Sequence, residues 1–447
     1  MNLKNLEKLK TLNFNRIVYY FKYVLLLASM VSAISVFNNT IVRTFFKMLF
    51  VLSMLLLAYI LIYKRKQFKS RNYLLLLLFS VCYGLTIVFN VRNHVINEIM
   101  LFGYTLMFFF VVTYFDLDAS KKNVKTEIFH FMNLIICVSL IISIVNLILF
   151  GMEILGAYDF TELNSFYEYS KSNQLGGVYN PNTGSMVNLI SILMSLMFMM
   201  HQKGNTKFYA LNVTVQTICF SLCQSRGSWV CLITYLILYA LFIYKHSEKI
   251  PYVKRAARFF TIFLFCVGLS LMTRQTIFGT FDLFSKDEVE EEVNRKEQKK
   301  DDIYTFSTGR SGLWKVGVEA WKSEPILGIG YRNIDDALKV ELSEHDYNNS
   351  AKGGLHSTYV TTLVSVGLLG FGVLMIFLIL LCYKGFKLLI NPNVTAIDRM
   401  LISIVPMILV GELVESRILF GMNFVCVVFW IVMGYIFYLD RKMKTND

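Results

Sequence analysis

The sequence predicts an all-α, polytopic membrane protein of about twelve transmembrane helices with one large extracytoplasmic loop. Three observations lead there. The 447 residues are 55% hydrophobic, and the apolar residues gather in long uncharged runs such as NYLLLLLFSVCYGLTIVF and LLGFGVLMIFLILLCY. Each approaches the ~20 residues that carry a helix across a bilayer. The alternating segments of ~10 residues that build a membrane barrel are missing. Finally, basic residues cluster in alternate short connections, as the positive-inside bias requires.

In chain order, hydropathy places spans near 17–37, 44–63, 73–90, 97–115, 128–150, 183–200, 208–223, 227–244, 259–273, 358–383, 400–418 and 420–438. Lys4, Lys8, Lys10 and Arg16 precede the first run in the manner of a signal peptide. A second span follows at once with no convincing cleavage site, so the first helix is read as retained. Connections holding Lys64–Arg71, Lys121–Lys125, His201–Lys207, Lys245–Arg258 and Lys384–Arg399 alternate with connections poor in Lys and Arg. Both termini are therefore expected in the cytoplasm, and residues 151–182 and 274–357 outside. The whole chain, 1–447, reads as one integral membrane domain, with 274–357 a loop inserted between two spans.

The net charge of +13 is topological on this reading and excludes the need for a nucleic-acid partner. The eight cysteines all fall in apolar segments, which argues against disulfides and a cysteine-based zinc site. Asp116–Asp118 (DLD) sits at a helix end on the cytoplasmic side, where capping and solvation account for it. No His/Asp cluster with ligand spacing lies on the outer side, so neither a metal nor another cofactor is expected.

Within the large loop, residues 285–302 (SKDEVEEEVNRKEQKKDD) join an acidic block to a basic one and read as a solvated insertion. From Ser311 the pattern changes. Trp314, Val318 and Trp321 recur at helical spacing, Ser311 can cap the start, and Pro325, Gly328 and Gly330 follow the end. This predicts a short amphipathic helix lying on the membrane with its tryptophans at headgroup depth. Arg310 then stands at its N-terminus, where free N–H groups and the dipole favour an anion; an arginine merely facing water is the even alternative.

Charged and polar residues near the outer surface supply the candidate chemistry, because charge within a membrane is costly. Arg310, Arg332 and His356 stand beside the expected headgroup layer. Arg226, in CQSRGSW, lies at the outward turn between two spans and suits either snorkelling or bidentate phosphate binding. Glu412, Glu415 and Arg417 form a second charged patch, with the glutamates able to pair with Arg226 or Arg310 across the bundle, or to serve a purely structural network. Asn180 and Asn182, in GGVYNPNTGS, make a turn and cap before a span, or contact sugar hydroxyls. His356 abuts a span start, with Ser357 and Thr358 able to cap. Its neutral imidazole can accept a hydroxyl proton.

Taken in order, GGVYNPNTGS, SRGSW, TGRSGLWKVGVEAWKSEPILGIGYRN and HSTYVTTLVSVGLLG resemble the motifs of the O-antigen ligase and O-antigen polymerase (Wzy-type) superfamily. The resemblance covers roughly the second half of the chain. The family's usual His-Asn is His356-Ser357 here. The resemblance implies a GT-C-like helical bundle acting, without metal or cofactor, on undecaprenyl-pyrophosphate-linked glycans. Arg226 and Arg310 would then hold the donor pyrophosphate and His356 would deprotonate the acceptor hydroxyl. Arg332, Trp314, Asn180, Asn182, Glu412, Glu415 and Arg417 would complete the substrate site.

The expectation is a polysaccharide polymerase of the cytoplasmic membrane, making capsule, exopolysaccharide or O-antigen at the outer face. Its partners would be lipid-linked oligosaccharide donor and acceptor and the bilayer, with flippase and chain-length regulator proteins as candidates. A ligase moving glycan onto another lipid, a wall polymer or a protein is the rival within the superfamily. A flippase or exporter of lipid-linked sugars is the rival from another class, and a scaffold for a synthesis complex a further one.

Overall fold

A computed structural model describes residues 3–34, 40–65, 68, 70–91, 94–154, 175, 179–200, 205–243, 268, 272, 310–342 and 354–444. The described residues are mostly helical, without strands, and form a polytopic bundle. In order the helices are α1 (Leu3–Ser32), α2 (Thr40–Tyr63), α3 (Arg71–Asn90), α4 (Val95–Leu106, continued as a π-turn over Met107–Val112), α5 (Lys121–Ile154), α6 (Pro181–Met200), α7 (Thr206–Cys223) and α8 (Arg226–Leu238, continued as a π-turn over Tyr239–Ile243). They continue with α9 (Arg310–Trp321), α10 (Tyr331–Glu341), α11 (Thr358–Ile390), α12 (Ala396–Gly411) and α13 (Phe424–Lys444). Among them, α2 to α6, α8, α11 and α13 are long and apolar enough to cross a membrane.

Each expected span among the described residues falls on a helix, with moved ends. The first helix starts near the chain's beginning and takes in the basic N-terminal segment. The expected spans at 400–418 and 420–438 are corrected most: α12 stops at Gly411, and residues 412–423 form an irregular connection before α13. Thr358 and the backbone of this connection explain the break, since the carbonyls of Glu412 and Glu415 both accept from the Thr358 N–H, each at 3.0 Å. The span at 259–273 (apart from residues 268 and 272) and the charged block at 285–302 lie outside the described residues.

The centre of the bundle is α13, whose apolar stretch is 89% buried. Trp430 fixes it there: its ring lies 4.8 Å from Phe109 and its indole N–H donates to the Ile418 carbonyl at 2.9 Å. Polar side chains join α5, α6 and α7 internally, as buried amides in a membrane bundle must be satisfied by neighbours. Asn212 donates to Ser191 and Ser195, and Gln216 accepts from Ser143 at 3.0 Å. Cys219 and Cys223 pack in this region as free, buried thiols, each against a backbone carbonyl.

The loop helices dock on a broken span. Helix α11 is interrupted at Gly367, whose φ of 65° and ψ of −171° leave the helix geometry. The segment Pro325–Gly330 fills the gap. Ile329 and Gly330 donate to the carbonyls of Val364 and Ser365 at 3.0 Å, and Leu368 and Leu369 donate back to Pro325 and Ile326. A membrane span tolerates such a break only where neighbouring backbone satisfies the freed groups. Gly367 is obligatory here, because a Cβ would collide with the Ile326 carbonyl and the Gly328 amide. From this anchor α9 and α10 cover the end of α11 through Leu313, Ile334, Leu338, Leu355 and Val364.

Candidate functional site

At the end of the bundle covered by α9, the connection 412–423 presents one carboxylate to several donors. Glu415 accepts from Arg310 Nη2 at 2.8 Å and from Asn182 Nδ2 at 3.0 Å. Arg417 Nη2 stands 3.6 Å from its Oε1, and His356 Nδ1 stands 3.6 Å from its Oε2. The last two are charge contacts, longer than hydrogen bonds. Four chain segments far apart in sequence thus meet on one side chain.

Burial alone would push the Glu415 carboxyl up, but Arg417, the His356 ring and Arg310 together hold it down at about 2. Glu415 is therefore an anion at any physiological pH. Its own exposure is 12%, against 18% for Arg310 and 25% for His356. The carboxylate is the inner layer, and the guanidinium and imidazole are the outward-facing groups.

Each group is positioned by its local sequence. Arg310 is the first residue of α9, as expected, and Ser311 lies within the first turn rather than at the cap. His356 has a φ of 48°, a left-handed conformation uncommon outside glycine and asparagine. Strain of this kind persists where the surroundings over-determine it. On one side, the Trp314 indole donates to the Leu355 carbonyl at 2.7 Å, and Leu355 sits where a Cβ on Gly317 would collide with it. On the other, Ser357 caps α11 and Thr358 donates to the Glu412 carboxylate. Both tryptophans of α9 use their N–H groups within the protein, Trp321 donating to the Pro325 carbonyl at 3.0 Å.

The remaining expected residues take distinct places. Arg226 is exposed and opens α8; beside it Gly227 faces Val414 so closely that an added Cβ would lie 3.3 Å from the valine methyl. Arg226 therefore borders the same connection as Glu415. Asn180 acts as the cap of α6, its Oδ1 accepting from the Asn182 amide at 3.0 Å, whereas Asn182 itself reaches Glu415. Of the two glutamates expected to pair with an arginine across the bundle, Glu415 does so with Arg310. Glu412 is fully buried behind the cluster, where it accepts from Thr358 and from the amides of Arg417 and Ile418. Arg417 is 9% exposed and lies next to Glu415, so its charge is turned inward.

Arg332 is not part of this cluster. Its backbone N–H donates at 3.0 Å to Glu98, a fully buried carboxylate that also accepts from Tyr83 at 2.8 Å. Sequence reasoning passed over Glu98, although a lone carboxylate inside the expected span 97–115 was the available signal. The left-handed backbone of His356 carried no sequence signal at all. Among the described residues, no three His, Cys, Asp or Glu side chains gather as metal ligands.

Residues 211–376 match the O-antigen ligase family. The matched block runs from α7 into α11 and contains Arg226, Arg310, Arg332 and His356, while Asn182, Glu412, Glu415 and Arg417 lie outside it. The chain is also similar to the exopolysaccharide production protein ExoQ of Rhizobium meliloti (strain 1021), 27% identical over 116 residues. That stretch is 25% of this chain and 27% of ExoQ, so the chain spans about a quarter of the relative's length. On a polytopic helical bundle, the matched block brings an arginine at a helix start and a strained histidine onto one carboxylate, and over that block the chain is similar to the O-antigen ligase family.

Proposed function

We propose that the chain is a glycosyltransferase that polymerises undecaprenyl-pyrophosphate-linked oligosaccharide repeat units at the outer face of the cytoplasmic membrane. The observation that carries this reading is the cluster in which Glu415 contacts both Arg310 and His356. The donor's pyrophosphate sits against Arg310 and Arg226, where charge-assisted contacts stabilise the growing negative charge as it leaves. His356 turns Nδ1 towards Glu415, which leaves Nε2 to take the proton of the acceptor hydroxyl. The freed oxygen attacks the donor's anomeric carbon, forming the new glycosidic bond. The bond from that carbon to the pyrophosphate oxygen breaks, and the lipid pyrophosphate departs with the electron pair. Glu415 stabilises the imidazolium that forms and keeps Arg310 from drifting. No step calls for a metal.

Purified protein supplied with synthetic lipid-linked repeat units tests the reading. A ladder of products on a gel supports polymerisation, and its disappearance in His356→Ala supports the base. The second reading, a ligase, is favoured by the family that residues 211–376 match. It predicts one shifted band on a second acceptor in place of the ladder. A His356→Ala strain that accumulates unpolymerised lipid-linked units outside supports an enzyme over a transporter, and normal polymer in that strain would show that the base assignment is wrong.

A further inference from the structure

Arg332 marks a second anion position, which we propose holds the lipid pyrophosphate of the acceptor. The inference rests on the polymerase reading. In that reaction the acceptor's reacting hydroxyl is at its non-reducing end, and its own pyrophosphate is at the other end of the repeat unit. The acceptor pyrophosphate therefore cannot share Arg310 and Arg226 with the donor; it needs a cation displaced from His356 by a repeat unit's length, still at the membrane surface.

Arg332 is a cation set apart from the Arg310–Glu415–His356 cluster and mounted on Glu98. It is exposed, and among the described residues no carboxylate lies within ion-pair distance of its guanidinium. Its mount is rigid. Glu98 takes its N–H, Asn90 donates to the Gly328 carbonyl at 2.7 Å, and Gly330, at a φ of 87°, leaves no room for a Cβ against Glu98. Tyr331 stacks on Phe420 at 5.1 Å between ring centres. Phe420 is five residues beyond Glu415, so Glu415 and the ring that Tyr331 packs on are separated by no more than about 18 Å of chain. The end of α3 beside Asn90 and the start of α4 display Val88, Phe89, Ile96 and Ile99, each more than half exposed. That apolar wall suits the polyprenyl tail of a lipid whose diphosphate is at the rim. A guanidinium fits a diphosphate bidentately and keeps its charge at any pH. An ordinary phospholipid headgroup presents related chemistry, and the experiment separates the two.

The full chain is placed in nanodiscs of neutral phosphatidylcholine with an unsymmetrical substrate pair. The donor carries its repeat unit on undecaprenyl pyrophosphate with the non-reducing hydroxyl methylated, so it cannot accept. The acceptor has a free hydroxyl but joins its lipid diphosphate through a carbon link, so it cannot donate. Arg332→Gln is expected to raise the acceptor KM by about 10- to 100-fold, the worth of one charged hydrogen-bonding contact, and to leave the donor KM within about twofold. Arg332→Lys should recover part of the loss. With a free repeat unit lacking the lipid diphosphate, wild type and Arg332→Gln should perform alike. An unchanged acceptor KM, or an equal rise in both KM values, overturns the assignment while the polymerase reading stands. A defect seen only in discs containing anionic phospholipid also overturns it, identifying Arg332 as a headgroup anchor. Wild type that transfers nothing between this pair overturns the polymerase reading itself.

Discussion

Replacing Glu415 by Gln keeps the size and most of the acceptor geometry of the side chain and removes its charge. The structure sets the magnitude. The Glu415 carboxyl is held at about 2 against an ordinary 4.5, which corresponds to about 3 kcal/mol of folding stability near neutral pH. The folded value is depressed, so this stability is fully present above the ordinary value and is lost as pH falls from about 5 towards about 2. Glu415→Gln should therefore melt several degrees lower than wild type near neutral pH. The gap should shrink steadily on acidification, because the wild type then protonates the same side chain. Transfer should suffer separately. With the charge gone, His356 Nδ1 and Arg310 are held on their common point more weakly, and a misplacement of about 1 Å costs on the order of 10²-fold in kcat. Thermal melts across pH, with product ladders from reconstituted protein, read both effects. A variant that melts and polymerises like wild type, or a stability gap that persists in acid, would refute the role given to Glu415.

Other substitutions address the same frame. His356→Asn should lower the melting temperature by less than Glu415→Gln does, because asparagine tolerates the left-handed backbone and only the ring's share of the Glu415 contacts is lost, while product formation is lost; retained product would exclude His356 as the base. Trp314→Phe removes the donor to the Leu355 carbonyl and should cost about 1–2 kcal/mol in stability, together with a fall in kcat and little change in donor KM. A drop in stability with kcat untouched would show that the indole does not position His356. Gly367→Ala should abolish recoverable folded protein, since its Cβ meets backbone on the inserted segment. Normal yield in a detergent-stability screen would contradict the close approach of residues 325–330 to α11.

What the sequence determined by itself is whatever depends on local composition. Apolar runs of sufficient length form helices in a membrane because every backbone group must be satisfied within the segment, so the order of the spans among the described residues was legible, though their ends were not. The placement of Arg310 at a helix start and of His356 just before α11 was legible for the same reason, through caps and breakers. Tertiary structure decided which polar residues share a site. Glu412 and Glu415 are three residues apart and alike in sequence, yet one faces inward to Thr358 and two backbone amides, and the other faces Arg310 and His356. That division follows from where the connection 412–423 turns, which no local pattern encodes. Arg332 and Arg310 belong to one polar loop, but Glu98 from α4 takes the first and Glu415 the second. Such pairings join residues more than 100 positions apart, 105 for Arg310 with Glu415 and 234 for Arg332 with Glu98. They are fixed only when the helices assemble, because a buried carboxylate must find donors from whichever segment the packing brings to it.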